Sequence, residues 1–374
     1  MSNPLSGTRV LDLSRVLAGP LATMILGDLG ADVIKVERSG SGDESRTWGP
    51  PFDGRGESAY FLSCNRNKLS LAVDLEHETD RALLRQLVAG ADVVVDNFRR
   101  GVLAAWDLDP IALLSQHARL VWCTVTGFGP ESSRPGYDYV LQAESGWMSV
   151  TGAVDGEPMK VGVALADVIA GKDAAIAVLS LLAGGRHGPP ADRHLFVSLQ
   201  HSATSALVNV AQNALVSGLD ARRWGNAHPN LAPYELFPTA DRPIVIAVGT
   251  DTQFAALARA LEADELGDDR MATNPGRIAH RADLVGVIRD RLSRRSALVW
   301  IEVLAKAGVP CGVVRTVAEA LADVDASPLS GVSPLPPGSV RRLPPTLDQH
   351  GEMIRAHGWD AVAHASADTL EFSV

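Results

Sequence analysis

The sequence predicts an α/β protein: a Rossmann-like large domain on a parallel sheet, with a smaller α+β domain. Three observations carry that reading. Short runs rich in Val, Ile and Leu alternate with helical stretches through the first half of the chain. After residue 223 the style changes, and turn residues separate shorter strands. At 374 residues the chain is long enough for two domains with separate cores.

In chain order, "RVLDLS" (9–14) reads as a buried strand and "GPLATMILGDLGA" (19–31) as a helix. "DVIKVE" (32–37) and "LSLAVDL" (69–75) read as strands, and "ETDRALLRQLVAGA" (78–91) as an amphipathic helix. "DVVVDNF" (92–98) and "RLVWCTVTGFG" (119–129) complete the strand series. This rhythm implies right-handed crossovers, with helices on both faces of the sheet. "AAIAVLSLLAGG" (174–185) is a small-residue helix ending at a glycine pair. Residues 193–218 begin as a strand and become a long helix with few charges, which needs cover from its own chain or a partner. The expected domains are 1–195, with 330–374 returning to it, a linker helix at 196–224, and a small domain at 225–329.

Composition narrows the function. The balance of 34 basic against 44 acidic residues, net −10, argues against a sequence-independent grip on nucleic acid or anionic lipid. Cys64, Cys123 and Cys311 lie far apart without metal-ligand spacing, so free thiols in a reducing compartment are expected. No metal and no permanently bound cofactor is expected. The start of the chain lacks an apolar signal core, and no apolar run approaches the ~18 residues of a membrane span. A cytoplasmic location is expected.

One acidic residue stands out. In "GVALADVIAGKDAA" (162–175), Asp167 sits among small and apolar neighbours, four residues before a Gly-Lys pair. A phosphate-binding loop fails there, because Ala166 and Asp173 stand where Gly and Ser or Thr are required. "GFGPES" (127–132) and "SGSGDE" (39–44) likewise miss the dinucleotide fingerprint. Without further context, residue type favours Asp167 as the cap of a helix beginning near Ile169. A covalent nucleophile is the alternative.

Five collinear blocks change that balance: "DLSRVLAGPLATMILGDLGADVIKVER", "SCNRNKLSLAVDL", "ADVVVDNFRRG", "VTGFGPESSRPGYDYVLQAESG" and "ALADVIAG". Together with "NLAPYELFPTADRPIVIAVGTDTQF" and "AGVPCGVVRT" they resemble the class III coenzyme A transferases, over roughly residues 5–320. Formyl-CoA transferase and carnitine CoA-transferase belong to that family. The resemblance implies ring-shaped monomers threaded into an interlocked homodimer. It implies CoA transfer from an acyl-CoA to a free carboxylic acid, with Asp167 as the nucleophile that forms a mixed anhydride and then an aspartyl-CoA thioester. At a reference pKa of ~3.9, such a carboxylate is ionised at neutral pH without a helping base. The small neighbours Ala164, Ala166 and Gly171 are expected to leave room for the pantetheine arm.

The same resemblance assigns CoA contacts to Val16, Leu17 and Ala18, to Arg38, to Val73 and Asp74, and to Asn97, Phe98 and Arg99. It sets Tyr137 and Asp138 close to the thioester. Three departures matter. "GNAHPNLAPY" (225–234) replaces the glycine-rich loop of formyl-CoA transferase, so formyl-CoA and oxalate are not expected substrates. Leu17 stands in place of the usual Gln, and the ending after Ala326 is short, so part of a final hairpin is expected to be missing. Two rival readings stay open. An α-methylacyl-CoA racemase needs a second base, and Tyr137 stands where its His would be. A non-catalytic CoA-binding accessory protein is the other.

Overall fold

The computed structural model describes residues 3–322 and 340–365. Two compact units divide the chain. Among the described residues, the first combines 3–147, 161–212 and 340–365, and the second 148–160 and 213–322.

The first unit is built on six strands: β1 (Arg9–Asp12), β2 (Asp32–Arg38), β3 (Lys68–Val73), β4 (Val93–Asp96), β5 (Val121–Thr126) and β6 (His194–Ser198). All pair in parallel, in the order β3-β2-β1-β4-β5-β6. That order reverses direction between β1 and β4, which opens a crevice outside their carboxyl ends. Its helices are α1 (Ala18–Asp28), α2 (Ala59–Leu62), α3 (Glu78–Ala89), α4 (Pro110–Gln116), α5 (Asp138–Glu144), α7 (Leu165–Ala183), α8 (Pro190–Arg193) and α9 (Leu199–Ser205), while α6 (Trp147–Val150) falls almost wholly in the second unit.

Period-two alternation along buried strands supplies two cores. Val10, Val33, Val93, Val95 and Cys123 face one layer, with α1, α7 and α9. Leu11, Ile34, Leu71, Val94 and Trp122 face the other, with α3 and α4. α1 and α7 lie close, and a Cβ added at Gly171 would stand 2.6 Å from the Ala18 carbonyl. Ala166 is fully buried. Ala166 and Gly171 therefore serve helix packing, not the room for a ligand that the sequence suggested.

The outer edge of β3 is closed by the chain's ending. Ala72 N–H donates to Asp348 Oδ1 at 2.7 Å, Ser70 N–H to His350 Nδ1 at 3.2 Å, and Arg355 to the Ala72 carbonyl at 2.6 Å. Helices α16 (Gly351–His357) and α17 (Ala361–His364) follow, and residues 340–365 hold no strand. Residues 330–339 and 366–374 of the expected returning segment lie outside the described residues.

The stretch 196–224, expected as one linker helix, instead contains the end of β6, α9, α10 (Val208–Ser217) and a non-helical tail. The second unit carries an antiparallel sheet, β7 (Tyr234–Phe237), β8 (Ile244–Ala247) and β9 (Cys311–Val313), in that order. Helices α11 (Asp251–Ala260), α12 (Asn274–Ala279), α13 (Arg281–Leu292) and α14 (Ala297–Lys306) surround a core of Phe237, Ile246, Leu257, Ile288 and Trp300. α15 (Val317–Ala322) follows β9.

Candidate active site

A cavity of about 530 Å³ opens at the carboxyl edge of the parallel sheet, lined from the segments after β1, β4 and β5 and from β6 itself. Its size suits a small-molecule site. It brings together Val16, Leu17, Ala18, Asn97, Phe98, Arg99, Tyr137 and Asp167. Arg38, Val73, Asp74 and Asp138 do not line it. Arg38 and Val73 are register partners at the ends of β2 and β3, on the same edge but farther along the sheet.

The segment after β1 is held rigidly. Val16 has φ 71°, an uncommon conformation for a β-branched residue. Its N–H donates to both oxygens of Asp43, at 3.1 and 3.2 Å, and its carbonyl lies 3.5 Å from Cys64 Sγ. Asn97, at the end of β4, accepts from Arg15 N–H at 3.1 Å and donates to the Arg15 carbonyl at 2.8 Å. Its carboxamide thus clasps the loop.

Beneath lies a buried charge network. Lys35 donates to the Ser14 carbonyl at 2.9 Å and pairs with Asp43 at 3.0 Å. Lys68 donates to Asp12 at 2.9 Å and to the Pro20 carbonyl and Asn65 at 2.8 Å. Asp12, Lys35 and Lys68 are fully buried. Burial alone would raise the Asp12 carboxyl, but Lys68 and Lys35 outweigh it and hold the group at about 2.

Asp167 stands apart. It lies in the first turn of α7, which begins at Leu165, four residues before the expected start, so the cap position falls to Ala164, which makes no side-chain capping bond. The cap comes from α5. Asp138 Oδ1 accepts from Ala166 N–H at 2.8 Å and Asp167 N–H at 3.3 Å, while Oδ2 accepts from Gln142 at 2.6 Å. Leu165 N–H goes to the Val163 carbonyl at 2.8 Å. The opening donors of α7 are spent, and among the described residues no hydrogen bond reaches the Asp167 carboxylate. Burial first, then the Asp138 charge, push its carboxyl up to about 7. The sequence-based expectation of a fully ionised group at neutral pH is thereby corrected. Burial, then the nearby Asp167, also raise the Tyr60 phenol on α2.

Sequence reasoning missed Asp43, Tyr60, Gln142 and His194. Asp43 lies in "SGSGDE", which drew notice only as a failed glycine motif. His194 lines the cavity, shares a 2.9 Å hydrogen bond with Thr124, and is held neutral by burial at about 4. No local pattern marks any of the four. Four acidic or basic groups at the cavity rim are already paired: Arg100 with Glu131, and Arg15 with Glu44 at 3.5 Å. Among the described residues no group of three or more His, Cys, Asp or Glu is arranged to hold a metal ion. No helix among them is long and apolar enough to cross a membrane.

A doubly wound sheet with a cavity at its switch point, and an undonated carboxylate in its wall, defines an α/β protein with a small-molecule site. The chain belongs to CoA-transferase family III, whose family model matches residues 5–357. It is 43% identical over 333 residues to the succinate–glutarate CoA-transferase of Agrobacterium fabrum, covering 86% of this chain and 82% of that protein. It is 38% identical over 377 residues to the human succinyl-CoA:glutarate CoA-transferase, covering 93% and 84%. A crystal structure of a CaiB/BaiF family protein from Brucella suis superposes with a TM-score of 0.82 at 38% identity, covering 95% of this chain and 99% of that one.

Proposed function

We propose that the chain transfers CoA from a short-chain acyl-CoA to a small dicarboxylic acid, with Asp167 as the covalent nucleophile. Succinyl-CoA and glutarate are the first pair to try, because the human relative is a succinyl-CoA:glutarate CoA-transferase and the Agrobacterium relative a succinate–glutarate CoA-transferase. The observation that supports the reading best is the Asp167 carboxylate itself, half-buried in the cavity wall and with no hydrogen-bond donor on its oxygens among the described residues. A structural carboxylate in such surroundings is normally satisfied.

The steps need no general base. An Asp167 oxygen attacks the thioester carbon, the C–S bond breaks, and CoA leaves as thiolate. The thiolate attacks the Asp167 carbonyl of the resulting anhydride, which frees the donor acid and leaves aspartyl-CoA. The acceptor carboxylate attacks that thioester and releases the thiolate again. The thiolate then takes the acceptor acyl group, and Asp167 is returned as carboxylate. We assign CoA contacts to Val16, Leu17, Ala18, Asn97, Phe98 and Arg99, which share the cavity with Asp167. Arg38, Val73 and Asp74 continue the same sheet edge, where a ligand of CoA's length could extend.

Mixing the protein with succinyl-CoA and labelled glutarate should yield labelled glutaryl-CoA, read by mass spectrometry. Asp167→Ala should still gain melting temperature with CoA, yet transfer about 1,000-fold slower or worse. Near-normal transfer by that variant would remove the nucleophile assignment. For the partner, we infer a homodimer. Leu215 and Val216 of α10 are 78% exposed, as Val208 and Leu219 nearly are, and such a patch marks an association surface. Light scattering that gives the 39.5 kDa chain mass alone would refute it.

A further inference from the structure

The Asp138 carboxylate was expected against the thioester, but it does not line the cavity. Its carboxylate oxygens accept three hydrogen bonds elsewhere. Two hold the N–H groups of Ala166 and Asp167, and the third holds Gln142 one turn along α5. Gln142, itself fully buried, donates to the Val163 carbonyl at 3.2 Å and accepts from Val161 N–H at 2.8 Å. One face of α5 thus grips both the segment that leads into α7 and the turn that carries Asp167.

A helix normally draws its cap from the residue just before it. Here that residue is Ala164, which has no side-chain acceptor, so the first turn of α7 is fixed from 28 positions away in sequence. We propose that Asp138 is a positioning residue: it orients the opening turn of α7, takes up the donors that would otherwise reach Asp167, and so leaves the Asp167 carboxylate free to attack. This rests on the reading of Asp167 as nucleophile.

The arrangement has an electrostatic side. Among the described residues, the Asp138 charge on α5 acts on Asp167, and Asp167 in turn acts on the phenol of Tyr60 on α2. Asp43, Asp138 and Cys64 also act on that phenol. Asp138 therefore restrains ionisation of Asp167 while sharpening its aim, and an amide at 138 should separate the two effects.

The test uses the full chain. Formation of acyl-Asp167 from succinyl-CoA is followed in single turnovers between pH 5 and 9, by peptide mass, for wild type and for Asp138→Asn, Asp138→Glu and Asp138→Ala. In Asp138→Asn the rate should climb with pH about one unit earlier than in wild type, because the neighbouring negative charge is gone. Its maximal rate should fall about 100-fold, as expected for a misaimed reactant, with KM for succinyl-CoA within about twofold. Asp138→Glu should restore the wild-type pH midpoint and part of the rate. Asp138→Ala, if it folds, should combine both losses. Variants that melt earlier but keep the wild-type pH midpoint and maximal rate would overturn the positioning role, and Asp138→Asn decides if Asp138→Ala does not fold. A wild type that acylates beside equally reactive variants removes only this proposal. A wild type that never acquires the acyl mass on Asp167 removes the nucleophile and this role with it.

Discussion

Two carboxylates at one sheet edge receive opposite treatment. Asp12, at the end of β1, is fully buried and accepts from Ser14 N–H at 3.0 Å, Thr23 at 2.7 Å and Lys68 at 2.9 Å. Asp167, at the start of α7, has no hydrogen-bond donor on its carboxylate among the described residues, and the Asp138 charge acts on it. Burial pushes both groups upward, yet one is held at about 2 and the other reaches about 7. Partners decide the outcome, and depth does not. The satisfied carboxylate builds the floor on which the Val16 loop rests, while the unsatisfied one is available for chemistry.

The largest expected effect that breaks this contrast comes from the floor. Asp12→Ala would leave Lys68 and Lys35 buried with one fewer counter-charge, which costs about 3–5 kcal/mol when a buried pair loses a member. That is a large share of the stability of an ordinary domain. Chemical denaturation should show the loss, or the protein should accumulate in the insoluble fraction. If Asp12→Ala unfolds with a midpoint like wild type, the network beneath the loop contributes little and the contrast dissolves.

Much of the fold was legible because buried parallel strands announce themselves. "RVLD", "DVIKVER" and "VVVD" are short apolar runs flanked by turn residues, and each became a strand of the sheet within one or two residues. Lys35 and Lys68 were not legible, since a lysine in a strand reads as a solvent-facing position. They are buried because Asp12, Asp43 and backbone carbonyls converge on them from distant segments. The start of α7 was placed late for a similar reason. Its cap lies on another helix, and "GVALAD" contains no local start signal before Asp167 itself. The five sequence blocks singled out Asp167, but they carried no information on its surroundings. Its state of charge depends on Asp138 and on burial, neither of which composition or spacing reveals.

A smaller effect sharpens the contrast from the side of Asp167. Its folded-state carboxyl titrates at about 7, above the ordinary value of 3.8 that applies to the unfolded chain. Between those values the folded state keeps a proton that the unfolded state releases, so stability falls as pH rises. The loss is complete above about pH 7 and absent below about pH 4, the reverse of the pattern for Asp12, whose depressed carboxyl stabilises above its unfolded value. Asp167→Asn replaces the titrating group with a neutral one of nearly the same shape. The variant should therefore melt above wild type at pH 8, with a gap that narrows steadily toward pH 4. Active sites commonly store strain of this kind, and removing it stabilises the fold while abolishing activity. Thermal melts of both proteins from pH 4 to 8 read the effect directly. A gap that stays constant across that range would mean that Asp167 does not carry an uncompensated charge in the folded protein.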